Sequence, residues 1–357
     1  MNASAWLQAW DSQGIHRTGM AGDTAGAEWL AREAESLGGT VSIETFGLSR
    51  IDPVSCWLET KDRGIDGVPV FDSPPTGPGG VGGPIGVTSL FSFTGPTPEY
   101  HALRRSPDHS ALVIVCQGAV PGLALLNAGQ FLEPYGCPAI QVTEAPCSKP
   151  LRLVSDYQRN DATAGNVVVA ISGRDRTRRP VVVMTPRSSW WQSTSERGGG
   201  LVCWLETLRA LIDTSPTCDV VMTANTGHEL GYLGLDEFLR RRPGWDRPGG
   251  AIWVHYGANI GARGGKLSIQ SADGSLREAM RNTLTEAGQP PDVMAPETLV
   301  PVGETRDIHC RGGRYVTLFG TNPLFHLPQD RWPHAVDVPA IERFAAGAAA
   351  MVRVLTS

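Results

Sequence analysis

No stretch of this sequence approaches the roughly 20 apolar residues that a membrane-spanning helix needs. The longest apolar run, Phe344–Leu355, is shorter, Ala-rich and interrupted by Arg353. It reads as a packed C-terminal helix, and no membrane partner is expected. The opening residues MNASAWLQAWDSQG lack a charged segment followed by an apolar one, so no secretory signal is expected. The seven cysteines are odd in number and never fall in CxxC spacing. That pattern suits reduced, mostly buried thiols in a cytoplasmic protein. No basic run is interleaved with aromatics and the formal net charge is -5, which argues against nucleic acid as a partner. The Gly-x-Ser-x-Gly elbow is missing, which removes Ser188 and Ser189 as nucleophiles. The zincin motif His-Glu-x-x-His is missing too.

Hydrophobic residues make up 41% of the chain and charged residues 19%, enough apolar material for a packed core. At 357 residues, one large or two ordinary domains are expected. Thr24–Leu37 has helical periodicity ending at Gly38-Gly39, and Val41–Phe46 reads as a strand. From about Ile51 the texture changes. Residues 68–87 are crowded with Gly and Pro, which favours short strands and turns. Ala111–Cys116 and Ala139–Val142 are strand-like runs within this region. Residues 51–161 therefore read as an inserted β-rich domain.

From Asn166 onward strands and helices alternate. The strands are Val167–Ile171, Val181–Met184, Val220–Ala224, Ile252–Tyr256 and Tyr315–Phe319. The helices are 199–212, 233–241, 275–287 and 339–355. Such alternation predicts an α/β fold, a sheet covered by helices on both faces. In these folds ligands bind beyond the carboxyl ends of the strands. Four strand ends here deliver reactive side chains. After Met184 come Arg187 and Trp191, then Glu196 and Arg197. His228-Glu229 follow Ala224, His255 and Asn259 close the next strand, and His326 follows Phe319.

These features resemble the co-catalytic zinc peptidases, a superfamily that includes bacterial aminopeptidases, glutamate carboxypeptidase and the single-zinc glutaminyl cyclases. The resemblance covers the opening helix and everything from Asn166. It implies a three-layer mixed sheet flanked by helices, built from residues 1–50 and 162–357. The insert then stands where relatives carry a protease-associated domain. The likeness also implies a depleted metal site. Pro186, Ser188 and Gly257 stand where the family places a metal His, a structural Asp and a metal Asp. Glu196 keeps the bridging carboxylate's spacing to Gly200 and Glu206. Glu229 and His326 keep two further ligand positions, and Asp330 follows the His as in relatives. The family's general base falls at His228, and Glu304 aligns more loosely with an acidic position.

The expectation is a hydrolase acting on an amide or peptide-like bond of a small substrate, with an anionic one among the options. One zinc ion would be held by Glu196, Glu229 and His326, a ligand set with an open fourth position. His228 would then be the acid/base. Arg187, Arg197, Arg314, Asn259 and Trp191 would line or bind the substrate. Two alternatives remain open. One is metal-free acid/base chemistry by His228, Glu229, His255 and His326. The other is a non-catalytic binding protein on the same scaffold. A homodimer is also among the expectations, because relatives use such inserts for access control or dimer contacts.

Overall fold

A computed structural model describes residues 2–357. Two helices open the chain, α1 (Ala3–Asp11) and α2 (Ala21–Ser36). The next segment holds β1 (Val41–Thr60), β2 (Gly64–Asp66), β3 (Val68–Pro69), β4 (Val81–Gly82), β5 (Ile85–Phe91), α3 (Pro98–Arg105), β6 (Ala111–Gln117), β7 (Ala139–Val142) and β8 (Pro150–Ile171). Then come β9 (Val181–Pro186), α4 (Thr194–Ile212), β10 (Val220–Asn225), α5 (Leu233–Arg241) and β11 (Ile252–Tyr256). The chain closes with β12 (Leu267–Gln270), α6 (Gly274–Glu286), β13 (Val293–Met294), α7 (Thr305–Cys310), β14 (Arg314–Gly320) and α8 (Val338–Leu355).

Ten strands form the main sheet. Its order is β13-β12-β14-β11-β9-β10-β8-β1-β2, with β4 beside β8. Its centre, β14-β11-β9-β10, is parallel. Every residue of β9 and β10 is buried, as expected of a parallel strand covered on both faces. Helices α1, α2, α4, α6 and α8 pack one face through Trp10, Leu30, Trp204, Met280, Phe344 and Met351. Phe238 of α5 and Ile308 of α7 pack the other face. The expected three-layer mixed sheet is what forms.

Two expectations need correcting. The bounds expected for the insert, 51 and 161, fall inside continuous strands, because β1 and β8 cross both positions without a break. They pair from Val41↔Val169 to Thr60↔Pro150, with register irregularities after Pro53, which has no N–H to give the ladder, and between Glu59 and Thr60. A four-stranded sheet, β3-β7-β6-β5, then packs on the outer halves of both strands through Leu58, Val113, Ile140 and Leu153. The helix expected from Gly199 begins earlier, at Thr194. Gly198, Gly199 and Gly200 are poor helix formers, each costing about 1 kcal/mol against Ala, which hides this turn in the sequence. A distant carboxylate compensates. Asp330 accepts hydrogen bonds from the N–H groups of Ser195 (2.7 Å) and Glu196 (2.9 Å), and so caps α4 from outside it. The glycines also permit contact: a methyl group at Gly199 would collide with the Ile260 carbonyl. The first turn of α4, with Glu196 and Arg197, is thereby pressed onto the carboxyl edge of the sheet.

Candidate functional site

The carboxyl ends of β9, β10, β11 and β14 deliver a set of buried polar side chains to this edge. They fall into two clusters and one supporting network.

The first cluster is centred on Glu304, at the start of α7. Its Oε1 accepts a hydrogen bond from His228 Nδ1 at 2.8 Å, and its Oε2 lies 3.6 Å from His255 Nε2. Burial alone would raise the Glu304 pKa, but His228 and His255 hold it well below the carboxylate range. His228 moves down instead. Burial disfavours its charged form and Arg197 adds repulsion, which together outweigh Glu304. His228 is therefore a neutral imidazole near pH 7, with its proton on the nitrogen facing Glu304. Its Nε2 makes no hydrogen bond within the described residues, and the residue keeps 7% exposure. His255 is anchored through Nδ1 to the hydroxyls of Thr317 (2.8 Å) and Thr305 (2.6 Å). Its ring fills the space beside Gly257: a methyl group there would stand 3.2 Å from His255 Cε1.

The second cluster lies at the start of α4. Glu196 is fully buried. Its Oε1 is 2.7 Å from Arg197 Nη2 and 3.5 Å from His326 Nε2. Burial would raise its pKa, yet Arg197 and His326 bring it down to about 2. Arg197 is held by its Nε, which donates to the Ser188 carbonyl at 2.8 Å. Neither Glu196 oxygen has an aligned hydrogen-bond donor, and neither Arg197 Nη atom has an aligned acceptor. The two charges touch without N–H groups pointing at the carboxylate. His326 sits at φ +60°, a left-handed backbone costly for a side chain of its size. Two bonds hold it there. Its Nδ1 donates to the Leu125 carbonyl of the insert at 2.6 Å, and Trp191 Nε1 donates to its own carbonyl at 2.9 Å.

Glu229 lies in the supporting network. Its Oε1 accepts from the Thr18 N–H (2.7 Å) and hydroxyl (2.8 Å), and its Oε2 accepts from Ser188 Oγ at 2.6 Å. Ser188 Oγ in turn accepts from the His228 N–H at 3.0 Å. Behind it, Thr226 binds Asp23 at 2.9 Å and Asp23 pairs with Arg187 at 2.8 Å. The network ties the segment before α2 to the loop after β10.

The expected zinc set does not fit this arrangement. Glu229 spends both carboxylate oxygens on Thr18 and Ser188, which turns it away from the role of ligand. Glu196 faces a permanent cation at contact distance. Among the described residues no group of three or more His, Cys, Asp or Glu side chains is placed to hold a metal ion. Metal sites tolerate distance errors of only about 0.2 Å; of this donor set Glu229 is committed to hydrogen bonds and Glu196 to the Arg197 charge, which leaves His326 Nε2 as the one donor without a partner among the three.

The expected substrate-binding residues separate in the same way. Arg197, His228 and His255 face the site. Arg187 is fully buried and committed to Asp23 and to the Gly165 carbonyl. Arg314 opens β14 at the amino end, the wrong edge of the sheet, and pairs there with Asp273. Both Asn259 side-chain atoms are bonded internally, to the Gly320 carbonyl and to Asn322. Trp191 positions the His326 backbone. Thr18 and Leu125, which hold Glu229 and His326, lie 211 and 201 residues away from them, and no local pattern marks either.

No family model matches the chain, and no curated protein does. Solved structures do match. A zinc aminopeptidase from Bacillus subtilis superposes with a TM-score of 0.77 at 16% identity, over 99% of this chain and 93% of that one. A peptidase precursor from Shewanella amazonensis gives 0.74 at 13% identity, over 100% and 94%. A glutaminyl cyclase from Porphyromonas gingivalis gives 0.54 at 10% identity, over 99% and 96%. The chain thus has the fold that zinc aminopeptidases and glutaminyl cyclases share.

Proposed function

We propose that this chain is a hydrolase of amide or peptide-like bonds in small substrates, with His228 as general base and Glu304 as the carboxylate that orients it. The observation that carries this reading is the 2.8 Å bond from His228 Nδ1 to Glu304, with His228 Nε2 left free. A buried carboxylate on one ring nitrogen fixes the tautomer and aims the lone pair of the other. Its shared fold with solved peptidases supports the reaction class.

In this scheme His228 Nε2 takes a proton from water as the water attacks the carbonyl carbon. The same nitrogen then returns the proton to the departing amine. Glu304 stabilises the imidazolium formed in between. His255, on the far oxygen of Glu304, keeps that carboxylate in register. No zinc takes part in the steps assigned to these residues.

The test is hydrolysis of a panel of aminoacyl and acyl amides by chelator-treated protein. His228→Ala should lower kcat/KM by at least about 100-fold, the usual scale of general-base catalysis, and Glu304→Gln by a comparable factor. The rate should hold down to pH 6.5 and fall below it, because burial lowers the His228 pKa from that value. Unchanged turnover in His228→Ala would remove the dyad from the mechanism.

A further inference from the structure

The clash between the expected zinc set and the side chains present has a positive content, independent of the hydrolase reading. A carboxylate buried without an aligned hydrogen bond persists only beside a cation. Glu196 is such a group: neither oxygen has a donor and no solvent reaches it. Among the described residues the only side chain of fixed positive charge at contact distance is Arg197, with Nη2 at 2.7 Å. The guanidinium cannot swing away, because its Nε is bonded to the Ser188 carbonyl and the residue is 1% exposed. A divalent ion approaching Glu196 and His326 Nε2 would meet that charge at once.

We propose that the Arg197 guanidinium is the resident cation of this site: it occupies the place where a metal would balance Glu196, and it excludes divalent metal from it. The consequence is a site whose positive charge is carried by the chain itself. It is insensitive to chelators and keeps its charge at any physiological pH, because a guanidinium does not deprotonate there.

Three measurements on the full-length protein test this. Zinc chloride titrated into chelator-treated wild type should show no saturable binding at micromolar concentrations and no rise in Tm. Arg197→Ala should melt lower by about 5 °C, and millimolar methylguanidinium should recover most of the loss. Urea at the same concentration should not, since it matches the shape without the charge. The rescue should vanish in Arg197→Ala/Glu196→Gln. If Arg197→Ala does not fold, Glu196→Ala reads the same pair from the other side. It strands a buried cation beside a cavity the size of a carboxylate, so millimolar acetate should raise its Tm while leaving wild type unchanged. One zinc bound per wild-type chain and lost in Glu196→Gln would overturn the proposal. So would a foldable Arg197→Ala indifferent to methylguanidinium, or a Glu196→Ala indifferent to acetate.

Discussion

Two clusters share one edge of the sheet and satisfy their charges in opposite ways. Around Glu304 the balance is made by hydrogen bonds and a histidine pair, with His228 Nδ1 at 2.8 Å and His255 Nε2 at 3.6 Å. Around Glu196 it is made by bare charge, with Arg197 at 2.7 Å and no aligned donor. The first cluster holds a group that can exchange a proton, the His228 imidazole, which burial and Arg197 keep neutral near pH 7. The second cannot, because a guanidinium stays charged and a carboxylate held near pKa 2 stays ionised. Under the proposed mechanism one cluster serves proton transfer, while the other carries a standing field.

That contrast yields tests of decreasing size. The largest effect should come from Arg197→Ala. Removing one partner of a buried ion pair costs about 3–5 kcal/mol, because it leaves the other charge uncompensated. His228→Ala should cost about 1–2 kcal/mol of stability while removing most activity. Urea unfolding of the two variants checks this, and equal losses would erase the distinction between the clusters.

Acid should come next. His16 stacks on Trp10 with ring centroids 3.5 Å apart, and burial together with Arg187 lowers its pKa to about 3. The unfolded chain takes up that proton near 6.5, so the contribution of His16 is whole above 6.5 and is lost as pH falls toward 3. Glu196 loses its contribution between 4.5 and about 2 in the same direction. Asp330 runs the other way. Burial pushes it up to about 7, so its contribution is complete below 3.8 and disappears as pH rises toward 7. Stability should therefore fall most steeply below pH 4, where Asp330 no longer offsets the losses. His16→Gln should flatten that fall, as chemical unfolding at stepped pH will show.

Thr18→Val should cost about 1–2 kcal/mol. It strips the hydroxyl from Glu229, leaves the carboxylate with one donor fewer and loosens the loop that carries His228. Arg314→Ala should have the smallest effect, about 0.5 kcal/mol with activity unchanged, because its pair with Asp273 is partly exposed and on the opposite edge. A loss of activity in Arg314→Ala would undercut the placement of the site.

Much of the fold was legible in the residue pattern. Strands β9, β10 and β11 and helix α5 stand within a residue or two of where apolar runs and periodicity put them, because each buries a continuous apolar face. The first turn of α4 was not legible, since three consecutive glycines argue against a helix and its cap comes from Asp330. The length of β1 was hidden as well, because its outer half pairs with β8 about 100 residues later.

The site divides along the same line. The sequence alone determined which side chains reach the carboxyl edge of the sheet: strand alternation and the residues after each strand place His228, Glu229, His255, Glu196, Arg197 and His326 there. Only the tertiary structure decided what each of them is free to do. Glu229 is consumed by Thr18 and Ser188, Arg187 by Asp23, and Glu196 by Arg197, while Glu304 is set against His228 from 76 residues away. The physical reason is that a buried polar group is defined by its partner. The residues that follow a strand are legible locally in the chain, whereas the partner that claims one of them arrives from anywhere in it.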